Sequence, residues 1–329
     1  MSDVINTTDL SHEQLIEAYR RMLLIRRVEE NAGRAYQMQK FSGFCHLYIG
    51  QEAVAMATST AMQDHDYMMT AYREHGQAIS RGVSADAVMA ELLGRKTGST
   101  GGRGGSMHIF DKERNFLGGW GIVGGQIPLA TGVAWAIKYR QEPKVIVCFF
   151  GEGSLHQGVF HESLNLASLW DLPIVYLCEN NKYAMGTEMS RISAVDDLRK
   201  KAVSYDMEAD QIDGQNFFTA YNGIKAAIDR ARHESRPTFL DVRTYRFRGH
   251  SMSDPATYRT KDELTEEQQR DPIGFLYNAL VELGAATEEE LKQFDKECKQ
   301  AAKDALKKAE EAPFPDDDTV LDHIYINTH

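Results

Sequence analysis

Two short motifs sit where side chains could do chemistry. Gly151-Glu152-Gly153 follows the apolar run 145–150 (VIVCFF), and Asn180-Asn181 follows a second run, 174–178 (IVYLC). Unbroken apolar runs suit strands covered on both faces. Two neighbouring parallel strands would deliver both turns to one edge of a sheet. There the Glu152 carboxylate and the Asn181 carboxamide oxygen can converge on one hard cation. Mg²⁺ takes oxygen ligands in near-octahedral geometry and usually shares them with phosphates. The flanking glycines Gly151 and Gly153 let backbone N–H groups face a phosphate, and a helix expected to begin near Ser154 would add its positive end. Gly-Glu-Gly alone reads more simply as a turn after a strand. The second strand and its Asn pair favour a Mg²⁺–diphosphate site.

The elements that must position these residues follow from periodicity. Residues 11–40 predict a helix, with Leu15, Tyr19, Met22, Leu23 and Arg26 at helical spacing and a capping box of Ser11 and Gln14. A second helix is expected over 51–62, and a short strand over 67–71. Residues 94–125 are so rich in glycine that the expectation is a loop with no regular element, able to bring backbone close to a ligand. Helices are expected over 127–139, 156–170 and 217–232, and a strand over 238–247. Strands alternating with helices predict an α/β fold: a doubly wound, mostly parallel sheet with helices on both faces. Such sheets bind ligands at the carboxyl ends of their strands. Thr287 and Glu290 form a capping box ahead of an amphipathic helix carrying Leu291, Phe294, Cys298, Ala302, Ala305 and Ala309, which Pro313 and Pro315 end. That helix packs on the body or on a partner subunit. The expected organisation is one α/β domain over 1–270, with an N-terminal helical segment, and a helical extension over 271–329.

Composition narrows the function. The 329 residues carry 37 Lys+Arg against 48 Asp+Glu, a net charge of −11, which argues against a nucleic-acid module. Hydrophobic residues make up 42%, enough for a sizeable core. No apolar run reaches the ~18 residues that a membrane span needs. The opening MSDVINTTDL has neither a basic, apolar leader nor an Arg-rich one, so no targeting segment is expected. Cys45, Cys148, Cys178 and Cys298 lie far apart with no CxxC pair, which argues against a zinc ribbon or a thioredoxin-like site. Cys148 and Cys178 read as buried thiols, and a reducing cytoplasm is the expected location.

The stretch GEGSLHQGVFHESLNLASLWDLPIVYLCENNKYAMGT resembles the thiamine-diphosphate motif, G-D-G followed by about 26 residues and N-N. The words around it, GFCHLYIGQEA, TAYREHG, GGRGGSMH, GIVGGQIPLATG and YRFRGHSMSDPATYRT, resemble the alpha subunit of the 2-oxo acid dehydrogenase decarboxylating component, in that family's order along most of the chain. Within the family the HSMSDP loop resembles the pyruvate-specific branch. Acetoin and branched-chain 2-oxo acids are the alternatives.

The resemblance implies thiamine diphosphate and Mg²⁺ as cofactors, and it implies roles. Tyr72 and Arg73 would hold the diphosphate, for which a guanidinium is well matched. Gly121 and Val123 would line the aminopyrimidine, and Gly151, Gly153 and Ser154 would border the diphosphate. Glu152, Asn181 and the main-chain oxygen of Tyr183 would hold the metal. His250 would stand near the diphosphate and reacting centre, and His46 along the substrate channel, both as catalytic groups. The partners implied are a beta subunit in an α2β2 heterotetramer, which carries the glutamate that activates the cofactor, and the lipoyl domain of an acetyltransferase. Ser251 stands where some family members are phosphorylated, although an unmodified loop serine is the simpler expectation.

Glu152 departs from the motif, which has Asp. Magnesium bond lengths are tight, so the longer arm requires the backbone to retreat, a water to bridge, or affinity to fall. The expectation is retained Mg²⁺ binding. The departure also raises the alternative of a catalytically silent, cofactor-binding subunit.

Overall fold

Alternate residues of the two apolar runs enter two different cores. The computed structural model, which describes residues 8–319 and 321–322, puts Val147, Phe149, Val175 and Leu177 in one cluster and Ile146, Cys148, Phe150, Ile174, Tyr176 and Cys178 in the other. Side chains of a strand alternate between its faces, so both faces of this sheet are covered. Residues 1–7, which hold most of the opening segment read above, lie outside the described residues.

In chain order the helices are α1 (His12–Gln37), α2 (Glu52–Ala61), α3 (His75–Ser80), α4 (Ala85–Leu92), α5 (Gln126–Tyr139), α6 (Gly158–Leu169), α7 (Arg199–Val203), α8 (Phe217–Glu234), α9 (Lys261–Gln268), α10 (Pro272–Glu282) and α11 (Glu288–Glu311). The strands are β1 (Tyr67–Ala71), β2 (Phe116–Trp120), β3 (Ile146–Gly151), β4 (Ile174–Asn180), β5 (Tyr183–Ala184), β6 (Thr187–Glu188), β7 (Glu208–Asp213) and β8 (Thr238–Arg243). Six of them form one sheet in the order β2-β1-β3-β4-β8-β7, every neighbouring pair parallel. The α/β reading therefore holds. Because all six run the same way, the segments that follow them emerge at one edge. β3 and β4 are adjacent with Gly151 opposite Glu179, so Glu152 and Asn181 leave the sheet side by side.

Four expectations need correction. The glycine-rich stretch is not wholly irregular: Phe116–Trp120 pairs with β1, with a register shift between Met68 and Thr70. Gly118, at φ 79°, absorbs that irregularity; a Cβ there would lie 2.6 Å from the Ile109 carbonyl oxygen. β7 escaped notice because it is an edge strand that buries only Ile212 fully. No α-helix starts at Ser154. Glu152–His156 is a 3-10 turn, and α6 begins at Gly158. The last strand stops at Arg243, four residues short, because Thr244 N–H turns to the Asn180 carbonyl and the chain then bends into the site.

Both capping boxes are present, Ser11 with Gln14 and Thr287 with Glu290. α11 buries Leu291, Cys298, Ala302, Ala305 and Ala309 against α1 and α4, and Arg27–Asp295 (2.7 Å) and Arg20–Glu297 (3.1 Å) flank that seam. All four cysteines are buried and unpaired. Among the described residues no helix is long and apolar enough to cross a membrane.

Candidate cofactor and metal site

The carboxyl ends of β1, β2, β3, β4 and β8 carry all but one of the candidate residues. The exception is His46, in the segment between α1 and α2. Glu152 is 1% exposed. Its Oε2 accepts a long hydrogen bond from Asn181 N–H (3.4 Å), and its Oε1 has no partner. Burial pushes the Glu152 carboxyl up to about 7, with the Arg246 guanidinium pulling the other way. A buried carboxylate with an unpaired oxygen is costly unless a cation meets it.

Asn181 is fixed from two sides. Its Oδ1 accepts from Arg246 Nη1 (3.2 Å), and its Nδ2 donates to Gln51 Oε1 (3.1 Å). A carboxamide oxygen has two lone pairs, so one remains for a metal. Asn180 serves the turn instead: its Nδ2 donates to Asp241 Oδ1 (2.9 Å) and its Oδ1 accepts from Lys182 N–H (3.3 Å). Lys182 (φ 73°) and Met185 (φ 59°), both in the left-handed region, bracket Tyr183 and Ala184. The Tyr183 hydroxyl is engaged with Glu263 (3.0 Å), which leaves only its main chain for a metal.

The donor set fits Mg²⁺ in kind: one carboxylate with a free oxygen, one carboxamide oxygen and main-chain carbonyl nearby, all hard oxygens. Among the described residues no group of three or more His, Cys, Asp or Glu is placed to hold a metal, and the expected set, with a single carboxylate, is not of that type.

The glycines divide. A Cβ on Gly153 would lie 3.1 Å from Ala184 Cβ, so Gly153 packs closely on the Tyr183–Ala184 segment, whereas one on Gly151 would meet nothing within 4 Å. Ser154 is buried at the same turn. The segment after β2 comes against that turn, since a Cβ on Gly124 would lie 3.3 Å from the Gln157 side chain. It leaves Ile122 77% and Val123 43% exposed beside Gly121.

The second half of the site is a ring cluster. His46 lies 4.5 Å from Tyr72 and 5.0 Å from His250, centroid to centroid, with Tyr72 5.8 Å from His250. The Nδ1 atoms of both histidines lack partners. Burial, then the Arg73 guanidinium, pushes His46 down to about 2 and His250 down to about 3, so both rings are neutral. Arg73 is itself buried, donating from Nη1 to the Leu47 carbonyl (2.9 Å) and from Nη2 to the His250 carbonyl (2.7 Å). It thereby fixes the loop that holds His250, together with Asp254, which accepts the His250 N–H (2.6 Å).

Sequence reasoning missed several residues. Arg246, 2% exposed, joins the two halves: besides Asn181 it donates to the carbonyls of Met185 (3.0 Å) and Arg248 (3.2 Å) and to the Tyr258 hydroxyl (2.9 Å). Its presence in YRFRGHS was visible, but its direction was not. Beneath the site lies Glu179, held by the Tyr48 hydroxyl and pushed up to about 7 by burial. The glycine loop is organised by Glu91, whose carboxylate accepts from the backbone N–H groups of Thr100 (2.8 Å), Gly102 (3.0 Å), Gly104 (2.7 Å) and Gly105 (3.2 Å). That loop leads to His108, whose Nδ1 donates to the Gly119 carbonyl (3.0 Å) and whose ring borders Gly121. His75 braces the loop from below, between Glu29 Oε2 (3.0 Å) and Ser106.

Known proteins share this pattern over nearly the whole chain. The chain is 47% identical over 309 residues to the protein named pyruvate dehydrogenase E1 component subunit alpha of Rhizobium meliloti (strain 1021), covering 94% of this chain and 89% of that one. It is 44% identical over 313 residues to the protein of the same name from Rickettsia felis, covering 95% and 96%. It is 41% identical over 327 residues to the mitochondrial subunit alpha-1 of Arabidopsis thaliana, covering 97% and 82%. The family described as dehydrogenase E1 component matches residues 20–317. With that span of the chain matched, this protein belongs to the dehydrogenase E1 component family.

Proposed function

We propose that the chain is the alpha subunit of a pyruvate dehydrogenase E1 component, which decarboxylates pyruvate and passes the two-carbon unit to a lipoyl group. The observation that carries the reading is the buried Glu152 with its unpaired Oε1 beside Asn181, at the ends of two adjacent strands. Glu152, Asn181 Oδ1 and the main-chain oxygen of Tyr183 would hold Mg²⁺, and Arg246 would lie against the diphosphate charge. Gly151, Gly153 and Ser154 would border the diphosphate, and Gly121 and Val123 the aminopyrimidine. Thiamine diphosphate, when bound, supplies the carbon nucleophile and the electron sink for loss of CO₂.

The chain's own part is binding, orientation and the exclusion of water. Tyr72 and His46 close one wall and keep water from the reacting centre. His250 Nδ1, unpartnered on a neutral ring, is free to hydrogen-bond a group at the reacting centre. Tyr72 and Arg73 would hold the diphosphate: two of the five N–H donors of Arg73 hold the Leu47 and His250 main chain, which leaves three for the ligand. A beta subunit in an α2β2 assembly fits the exposed apolar residues Ile122, Val123 and Leu129 next to the site. α10 and α11 act as a helical extension of the cofactor domain.

The test is co-expression with the beta-type chain of the same organism. Reduction of an artificial electron acceptor is measured with pyruvate, acetoin and a branched 2-oxo acid in turn, with and without thiamine diphosphate and Mg²⁺. Pyruvate turnover that requires both, and that falls at least a hundredfold in Glu152→Gln, is expected. Preference for another substrate would reassign the branch, and no turnover with any would point to a silent subunit.

A further inference from the structure

Gln51 is fully buried in the first turn region of α2 and touches no reacting group in the proposed function. Its surroundings fix its polarity. Arg246 has donors only, so the Asn181 amide must turn its oxygen toward Arg246 Nη1 (3.2 Å). The Asn181 nitrogen then faces Gln51, and Gln51 must answer with its oxygen (3.1 Å). Flipping either amide would set two donors against each other. The cost of the arrangement is visible: Gln51 Nε2 is buried without a partner.

The backbone beneath Gln51 is clamped. Gln51 N–H donates to the Tyr48 carbonyl (3.1 Å). Gly50, at φ 103°, packs so closely that a Cβ would lie 2.4 Å from the Tyr245 carbonyl oxygen. Gly50 N–H donates to Glu52 Oε2 (3.0 Å), and Arg26 Nη2 holds the same oxygen (3.0 Å). Gln51 is thus a rigid acceptor aimed at the amide nitrogen of an expected metal ligand.

We propose that Gln51 is a positioning residue that presents the Asn181 Oδ1 atom to the divalent cation. Rotation of the Asn181 amide would offer the metal a nitrogen, which cannot ligate it. The inference rests on the Mg²⁺ reading above and adds a residue to it. Outer-shell partners of metal ligands are commonly worth ten- to a hundredfold in affinity.

The experiment measures Mn²⁺ binding by EPR, with saturating thiamine diphosphate, on the full chain purified as its complex. Wild type, Gln51→Met, Gln51→Glu, Asn181→Ala and the double variant Gln51→Met/Asn181→Ala are compared. Gln51→Met should weaken Mn²⁺ binding about tenfold or more, with the KM for pyruvate unchanged. Gln51→Glu, which keeps an acceptor for Asn181, should stay within about threefold of wild type. In the Asn181→Ala background Gln51→Met should have no further effect, because its influence runs through that amide. Equal weakening with and without Asn181, or wild-type affinity in Gln51→Met, overturns the proposal. If Gln51→Met does not fold, Gln51→Glu decides, and a loss as large as that of Asn181→Ala refutes it. Failure of the wild type to bind Mn²⁺ would instead overturn the metal site itself.

Discussion

Arg26→Met removes the cation that makes the Gln51 clamp affordable. Arg26 holds both Glu52 oxygens and both Asp271 oxygens, the latter at 2.9 and 3.1 Å. The Glu52 side chain is 0% and the Arg26 side chain 12% exposed. Burial already raises the Glu52 carboxyl, and Arg26 is the largest opposing influence. Removing one partner of a buried pair typically costs about 3–5 kcal/mol. At roughly 2 °C per kcal/mol for a chain of this size, that is a fall in Tm of about 6–10 °C. The loss should depend on pH. Without Arg26 the folded-state pKa of Glu52 rises further above its unfolded value. The fold then keeps its stability where Glu52 is protonated and loses it as pH rises through the new pKa. The difference from wild type should therefore widen from pH 5.5 to pH 8. In Arg26→Met/Glu52→Gln the amide still accepts from Gly50 N–H and carries no charge, so at least half of the lost Tm should return. Differential scanning calorimetry of wild type and these two variants across that pH range reads this. A double variant that melts as low as Arg26→Met, or a loss independent of pH, would refute the reasoning.

Glu152→Gln keeps shape but removes the charge that would face the proposed cation. Thiamine diphosphate should then be retained on gel filtration no better with Mg²⁺ than without it, whereas the wild type retains it only with the metal. Glu91→Ala strips the Thr100, Gly102 and Gly105 N–H groups of their acceptor and leaves Gly104 only the Thr100 hydroxyl, at about 1–3 kcal/mol for each one left dry; limited trypsin digestion should cut at Lys96 and Arg103 at least about tenfold faster, and an unchanged rate would show that the loop is held otherwise. For His46, with its folded pKa near 2, the NMR ring signals should not titrate between pH 5 and 8. Because the unfolded ring takes a proton below about 6.5 and the folded one does not, His46 should subtract up to about 1.4 kcal/mol of stability per pH unit as pH falls below that value. A midpoint near 6 would mean the ring is solvated.

The central strands were legible because they are covered on both sides, so β3 and β4 stood out as apolar runs and their ends could be matched. β2 and β7 were not, for opposite reasons. The glycines in β2 erase the apolar signal, and β7, at the sheet edge, buries little. The site shows the same division. Glycines at 98–105 announce a backbone that must fold tightly, but nothing local says that Glu91 is the group it folds around. Two identical letters, Asn180 and Asn181, have different tasks because consecutive side chains at a strand end point opposite ways, one to Asp241 and one to Arg246 and Gln51. Arg73 and Arg246 make the point most sharply. Motif reading singles out Arg73 and passes over Arg246, yet the fold ties Arg73 to two main-chain carbonyls with part of its guanidinium and brings Arg246 to Asn181. The pairs that decide this are 65 residues apart for Arg246 and Asn181, and 130 for Asn181 and Gln51. Periodicity reports which face a residue occupies over a few turns. The direction in which an amide points is set by the polarity of whatever the fold brings against it. For that reason the candidate residues of this site could be named from the chain, and the hydrogen bonds that hold them in place could not.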